Sequence, residues 1–273
     1  MTGTFCADSF FLIAGPCVVE DDDLNFRVAD ALARLAESVP GGIIYKSSFD
    51  KANRSNVNAH RGPGIDEGLA ALERVRQRSG LPILTDVHLP EQCATVASVV
   101  DFLQIPAFLC RQTDLLLAAG ATGKAVNIKK GQWMEPEAMR GAVAKVSESA
   151  PPGASPSGRV AVTERGTFFG YGDLTVDMRS LSRMKAACGT PVIFDGTHSV
   201  QRPGRGEGGA SGGAREFIPP LTLAAIAAGA DGVFLETHPD PEHAPSDGPN
   251  MIPLDQLGTL VRRAVEVWNV CRR

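Results

Sequence analysis

Short apolar runs and longer amphipathic stretches alternate along this chain. The short runs are Phe10-Phe-Leu-Ile-Ala14, Gly42-Ile-Ile-Tyr45, Pro82-Ile-Leu-Thr85, Asp101-Phe-Leu-Gln-Ile105, Ala125-Val-Asn-Ile-Lys129, Arg159-Val-Ala-Val-Thr163, Pro191-Val-Ile-Phe-Asp195 and Gly232-Val-Phe-Leu-Glu236. Each is continuous in apolar character, the pattern of a parallel strand buried on both faces. Between them, Leu24 to Ser38, Ile65 to Arg78, Pro136 to Ser147, Leu221 to Ala228 and Leu254 to Val267 are rich in alanine and leucine, with charges at helical spacing. Eight βα units in this length predict an α/β fold, a (β/α)8 TIM barrel occupying residues 1–273 as one catalytic domain, with Met1 to Ser9 as a short lead-in. A doubly wound open sheet is the runner-up. Pro151 to Gly158 has a linker's composition, but it falls between a helix and the sixth strand, where a barrel turn belongs.

In such a barrel the chemistry collects at the C-terminal ends of the strands and in the loops that follow them. Those positions are polar here: Cys17 after the first run, Lys46 after the second, Asp86 and His88 after the third, Gln104 and Arg111 after the fourth. Lys129 and Gln132 follow the fifth run, Glu164 and Arg165 the sixth, Asp195 and His198 the seventh, and Glu236 and His238 the eighth. Chance supplies one or two usable strand ends; charged or metal-capable groups at nearly all of them favour a site.

The groups divide by chemistry. Lys46, Lys51, Arg54, Arg111, Lys129 and Arg165 suit a substrate carrying phosphate and carboxylate, since arginine offers a planar fork of donors and lysine a movable charge. Any one of these clusters alone would read as a solvated basic loop; their repetition at strand ends argues against that. Lys46 or Lys129 could instead form Schiff bases, because a desolvated lysine is a nucleophile. Cys17, His198, Glu236 and Asp247 could converge on a divalent ion, which a Schiff-base enzyme does not need, but His88, His238 and His243 compete and spacing does not choose among them. Gly204-Arg-Gly206-Glu-Gly-Gly209 satisfies the dinucleotide-binding pattern in the wrong context, well beyond the strand end, and reads as a mobile lid; Arg202, Arg205 and Arg215 could help it retain an anion or could equally be solvated charges, and they stay outside the candidate site.

Composition narrows the setting. A net charge of -4 and a pI near 5.8 argue against bulk binding to nucleic acid or to an anionic membrane. Six scattered cysteines without a C-x-x-C pair point to a reducing cytoplasm. Neither a secretory signal nor a membrane-length apolar run is expected.

Taken together, Ala14-Gly-Pro-Cys17, Lys46-Ser-Ser-Phe-Asp-Lys-Ala-Asn-Arg-Ser55, Thr85-Asp-Val-His88, Gln104-Ile-Pro-Ala-Phe-Leu-Cys-Arg-Gln-Thr113, Val126-Asn-Ile-Lys-Lys130, Phe194-Asp-Gly-Thr-His198 and Glu236-Thr-His-Pro239 resemble the 3-deoxy-D-manno-octulosonate 8-phosphate synthase family, also called the 2-dehydro-3-deoxyphosphooctonate aldolases. The resemblance runs almost end to end. The related 3-deoxy-arabino-heptulosonate 7-phosphate synthases typically carry a Lys-Pro-Arg-Thr-Ser type segment where this chain has Lys51-Ala-Asn-Arg-Ser55, which favours arabinose 5-phosphate over erythrose 4-phosphate.

The resemblance implies condensation of phosphoenolpyruvate with D-arabinose 5-phosphate and water, in the synthesis of a lipopolysaccharide sugar precursor. It implies phosphoenolpyruvate contacts from Lys46, Lys129, Gln132 and Arg165, and pentose phosphate contacts from Lys51, Asn53, Arg54 and Ser55, with Arg111 supplied by a neighbouring subunit of a homo-oligomer, commonly a tetramer. Lys46, Lys129, Asp86 and His198 are the catalytic candidates. Cys17 in its Ala14-Gly-Pro-Cys17 context points to the metal-dependent branch, with Cys17, His198, Glu236 and Asp247 holding Fe2+, Zn2+ or Mn2+. A lysine Schiff-base aldolase and a catalytically silent phosphosugar-binding barrel are the other function classes.

Overall fold

The computed structural model describes residues 4–54, 56–153, 158–204 and 212–272. Within them the barrel strands are β1 (Phe11–Gly15), β2 (Ile43–Lys46), β3 (Ile83–Asp86), β4 (Phe102–Ile105), β5 (Ala125–Lys129), β6 (Val160–Glu164), β7 (Val192–Asp195) and β8 (Gly232–His238). Each pairs in parallel with the next in chain order, and β8 returns to β1 with Phe11 opposite Gly232 and Gly15 opposite Glu236. That closure makes a barrel and rules out the open sheet. Every strand overlaps its apolar run, because each is buried on both faces: side chains of one parity point inward and the others meet the helices.

The outer ring is α1 (Asp22–Ala36), α2 (Ile65–Ser79), α3 (Gln92–Val99), α4 (Thr113–Ala121), α5 (Met139–Glu148), α6 (Arg179–Cys188), α7 (Ile218–Ala227) and α8 (Leu254–Cys271). Most boundaries differ from the amphipathic reading by one to four residues, and three of the shifts stand out. Helix α1 begins at Asp22 rather than Leu24 because Asp21 caps it, its carboxylate accepting the Leu24 amide at 2.9 Å. Helix α7 begins at Ile218 rather than Leu221, its first turn carrying Pro219 and Pro220, whose missing amides cost nothing there. Helix α8 runs on to Cys271 instead of stopping at Val267.

Alternation along the strands stacks the interior. Phe11, Ile13, Ile44, Leu84, Phe102, Ala125, Ala161, Ile193 and Phe234 form a buried cluster distinct from the larger one between strands and helices. Phe5 joins it, with its ring centroid 4.9 Å from Phe102 and 5.9 Å from Phe11 and its amide donating to the Gly158 carbonyl at 2.7 Å. The lead-in therefore plugs the N-terminal end of the barrel. Two residues further along the same inward parity, apolar gives way to polar: Lys46, Asp86, Gln104, Asn127, Thr163, Asp195 and Glu236 are all buried. The site is thus the continuation of the barrel core toward its C-terminal face.

Short elements decorate that face. Thr167–Gly170 and Asp173–Thr175 form a hairpin after β6, Gln201–Arg202 pair with Gly212–Gly213, and Ile252–Pro253 extend the sheet beside the end of β8. The turn expected over 151–158 is described only at its two ends, and most of the glycine-rich stretch after Gly204 lies outside the described residues.

Candidate active site

A cavity of about 470 Å³ opens at the C-terminal ends of the strands. It brings together Lys46, Lys51, Asn53, Arg54, Asp86, Lys129, Gln132, Arg165, His198 and Asp247 from the sequence reading. Cys17 and Glu236 lie buried beside it. Ser55 lies outside the described residues, and Arg111 is exposed and does not line the cavity of its own chain. The loop that follows β1 can press this close only because residue 15 is glycine: a Cβ there would sit 2.1 Å from the Lys46 carbonyl oxygen.

Lys46 and Lys129 stand over the Phe234 ring, their Nζ atoms 5.5 and 3.8 Å from its centroid, so one aromatic face separates the apolar plug from the charged layer. Lys46 Nζ donates to Glu236 Oε1 at 2.9 Å and to the Cys17 carbonyl at 3.2 Å, and lies 3.7 Å from Asp86 Oδ2. Burial works against its charge, but Glu236 and Asp86 outweigh burial and hold its pKa above the ordinary lysine value. Lys129 differs: burial dominates, Lys46 adds repulsion, and the pull of Asp195 only partly compensates, so its pKa falls. Its Nζ is 2.8 Å from Asp195 Oδ2 and 3.3 Å from His198 Nδ1. Two lysines of one layer are thus tuned in opposite directions by their counter-charges. Arg165 is buried, its Nη1 has no protein partner among the described residues, and its Nη2 donates to the His198 carbonyl at 3.3 Å.

The polar layer is wired across the strands. Thr163 Oγ1 donates to Asn127 Oδ1 at 2.7 Å, Asn127 Nδ2 to Gln104 Oε1 at 2.8 Å, and Gln104 Nε2 to Asp86 Oδ1 at 2.7 Å. Asp86 Oδ2 accepts from Ser48, whose hydroxyl in turn accepts from Lys51 Nζ at 3.1 Å. Burial opposes ionisation of Asp86, yet Lys46 and Lys51 hold its pKa far below the usual carboxylate range.

One corner has the donor set of a metal site. Cys17, Glu236 and Asp247 each offer a ligand atom, all within 4.8 Å of one another, and this is the group of such residues found among the described residues. Cys17 Sγ is 3.2 Å from Asp247 Oδ2 and 3.1 Å from Ser246 Oγ. His198 Nε2 stands 3.7 Å from Glu236 Oε2, which is buried and has no hydrogen-bond partner among the described residues. An orphaned buried carboxylate oxygen facing an imidazole, a thiol and a second carboxylate fits a divalent ion. Asp247 is held in the left-handed region at φ 51°, which aspartate tolerates better than most residues and which aims its side chain into the corner. Burial, then Glu236 and Asp247, push the Cys17 thiol well above its ordinary pKa. The competing histidines go elsewhere. His238 lies 3.2 Å from Glu20, and exposed His243 lies 2.8 Å from Asp240, so the run from Glu236 to His243 makes no second cluster. His88 lines the cavity and is not part of the Cys17, Glu236 and Asp247 group.

Sequence reasoning gave no site role to three side chains, Asp195, Gln104 and Gln201. Asp195 was seen only as a strand end, yet it orients His198 and pairs Lys129. Gln104 and Gln201 line the cavity as well. Asp195 and Gln104 were findable, since they occupy the inward parity that Lys46 and Glu236 share. Of the arginines assigned to a lid, Arg202 pairs with Asp173 and Arg215 with Glu242, while Arg205 lies outside the described residues.

The chain is similar to known proteins over almost its whole length. Residues 6–271 match the model of the DAHP synthetase I family. The chain is 53% identical over 260 residues to the 2-dehydro-3-deoxyphosphooctonate aldolase of Nitratidesulfovibrio vulgaris (strain DP4), covering 95% of this chain and 92% of that one. It is 54% identical over 255 residues to the protein of that name from Rhodopseudomonas palustris (strain BisB5), covering 93% and 86%. It is 55% identical over 252 residues to the one from Bradyrhizobium sp. (strain BTAi1 / ATCC BAA-1182), covering 92% and 86%.

Proposed function

The chain belongs to the DAHP synthetase I family, and on that premise we propose that it is a 3-deoxy-8-phosphooctulonate synthase, joining phosphoenolpyruvate, D-arabinose 5-phosphate and water into 3-deoxy-D-manno-octulosonate 8-phosphate and inorganic phosphate. The observation that carries this reading is the convergence, in one cavity, of three buried cations from three strand ends, Lys46, Lys129 and Arg165, beside a thiol and carboxylate corner. A doubly anionic substrate and an aldehyde are what such a pair of sub-sites accommodates.

In this mechanism Lys46, Lys129, Gln132 and Arg165 hold the carboxylate and phosphate of phosphoenolpyruvate, leaving its C3 free to attack. Lys51, Asn53, Arg54 and Ser55 take the phosphate end of the pentose, so that its aldehyde carbon faces C3. A bond forms between C3 and the aldehyde carbon, water adds its oxygen to C2, and the aldehyde oxygen ends as a hydroxyl carrying a proton. The bond between C2 and the bridging phosphate oxygen then breaks, phosphate departs with that oxygen, and the hydroxyl that water added to C2 gives its proton to the departing phosphate as C2 becomes the ketone. Both encounters gain from positioning, whose worth reaches about 7 to 11 kcal/mol in favourable cases. Lys46, kept protonated by Glu236 and Asp86, is the proton donor at the forming hydroxyl. Lys129 compensates charge developing at the reacting centre, and Asp86 fixes Ser48 and Gln104 around the cavity.

Cys17, His198, Glu236 and Asp247 would hold a divalent ion, Fe2+, Zn2+ or Mn2+, which polarises a carbonyl or acidifies water when bound. The chain acts as one catalytic domain in a homo-oligomer, commonly a tetramer, in which the exposed Arg111 of a neighbouring copy completes the pentose phosphate site. The setting is cytoplasmic synthesis of a lipopolysaccharide sugar precursor, in keeping with six cysteines that stand as free thiols.

Phosphate release by the purified protein tests the reading. It is expected to require both substrates, to prefer arabinose 5-phosphate over erythrose 4-phosphate, to stop on chelation and to return with Mn2+, Fe2+ or Zn2+. Turnover indifferent to chelation removes the metal, and a lysine adduct trapped by borohydride transfers the reading to a Schiff-base aldolase.

A further inference from the structure

Gln201 stands between the two halves of the site, and the mechanism above gives it no task. It follows the single turn His198–Val200, is half-buried and lines the cavity. Its amide Oε1 accepts from Arg165 Nη2, and its amide Nε2 donates to Asp247 Oδ1 at 3.0 Å. The chemistry of the neighbours fixes which end of the amide is which. A guanidinium has only donors and an ionised carboxylate only acceptors, so the reversed amide would set like against like at both ends.

Each end of this strut is itself anchored. The Gln201 backbone pairs with Gly213, and Arg165 Nη2 also donates to the His198 carbonyl at 3.3 Å. The other oxygen of Asp247 accepts from Cys17 Sγ at 3.2 Å and from Ser246 Oγ at 3.1 Å. Arg165 and Asp247 are opposite charges with a single neutral side chain bonded to both. In a buried setting, an unpaired guanidinium next to a carboxylate gains by closing onto it. That ion pair would withdraw both groups at once, Arg165 from an anionic substrate and Asp247 from a metal ion.

We infer that Gln201 is a positioning residue, a neutral spacer that keeps Arg165 open for the phosphate-bearing substrate and Asp247 open for the divalent ion. The inference rests on the assignment of those two ligands in the proposed function. It makes the two sub-sites interdependent without a direct contact between their ligands: loss of the spacer should weaken both, and loss of the arginine should give the metal site back.

The test reads binding rather than turnover, on the full-length protein. Mn2+ affinity is measured by equilibrium dialysis and inorganic phosphate affinity by calorimetry for the wild type, Gln201→Met, Arg165→Met and the double variant. Gln201→Met is expected to bind both ions about tenfold or more weakly, in line with other residues that orient metal ligands. The double variant is expected to bind Mn2+ as Arg165→Met does, because nothing is left to close onto Asp247. Gln201→Asn, too short to span both ends, replaces Gln201→Met with the same expectations if the latter fails to fold. Mn2+ affinity within twofold of wild type in the spacer variant, or a double variant as weak as the single one, overturns the inference. A wild type that takes up no divalent ion overturns the metal assignment and the inference with it, whereas wild-type uptake without turnover leaves the spacer fully testable.

Discussion

Asp195 grips His198 at two places: its Oδ2 lies 2.8 Å from the imidazole Nδ1, and its Oδ1 accepts the His198 amide at 2.8 Å. Because an ionised carboxylate only accepts, this contact keeps a proton on Nδ1 and turns Nε2 toward Glu236. Burial opposes the charge on Asp195, but His198 and Lys129 hold its pKa far below the usual range, so it stays ionised at any working pH.

Asp195→Asn should therefore disturb the metal corner without touching it. The amide no longer fixes the tautomer and removes the carboxylate paired with Lys129 at 2.8 Å. Divalent-ion affinity is expected to fall about 10- to 100-fold, with phosphate release falling alongside. Equilibrium dialysis with Mn2+ checks this, and an unchanged affinity would mean that Asp195 serves Lys129 alone.

Cys17→Ser keeps the shape of the corner and removes its only soft donor. Thiolate favours Zn2+ and Fe2+ over Mn2+, so the loss should be uneven. Zn2+ affinity is expected to drop at least about tenfold more than Mn2+ affinity, since the remaining imidazole and carboxylates suit the harder ion. Competition dialysis with the two ions measures the ratio. Equal losses for both would indicate that the thiol does not contact the ion.

Asp86 links the cationic layer to stability through pH. Its folded-state pKa is depressed by Lys46 and Lys51, so the stability it contributes is fully present above its unfolded pKa of about 3.9 and is lost as pH falls toward the folded value. Asp86→Asn should cost about 3 kcal/mol at pH 7, the scale of a broken buried pair. The gap between variant and wild type should then narrow below about pH 4. Urea unfolding of both proteins at pH 7 and pH 3 gives the two gaps, and a gap independent of pH would remove the electrostatic explanation.

The strands were legible because burial on both faces leaves an uninterrupted apolar run, and the run ends where Lys46 or Lys129 begins the site. The cations were legible for the same reason, as charges placed where an apolar strand stops. Helices α3, α4 and α6 were not singled out individually. The first two have little amphipathic contrast in sequence, with Ala-rich or Leu-rich faces all round. Asp195 was visible as a residue but not as a partner, since its contact with Lys129 joins positions 66 apart and exists only once β5 and β7 flank β6. Gln201 was hidden more completely. A neutral side chain in a stretch that reads as a glycine-rich loop carries no signal until Arg165 and Asp247 are found on either side of it.

Phe5 was the least legible residue of the core, an aromatic in what reads as a lead-in, yet it is 2% exposed and fills the end of the barrel against Phe11 and Phe102. The strand interiors cannot close that end themselves, because Ala125 and Ala161 contribute little volume to the inner cluster. Phe5→Ala should open a cavity there at a cost of about 3 to 5 kcal/mol, the range for removing a buried phenyl ring. The catalytic layer lies at the opposite end of the strands, so phosphate release at low temperature should stay within about twofold of wild type while the unfolding midpoint drops. Phe5→Leu, which keeps most of the volume, should recover more than half of the loss. Urea unfolding of the three proteins, paired with the phosphate-release assay, separates the outcomes: an unshifted midpoint would show the plug to be dispensable, and a shifted midpoint with lost activity would show that the barrel floor sets the geometry of the layer above it.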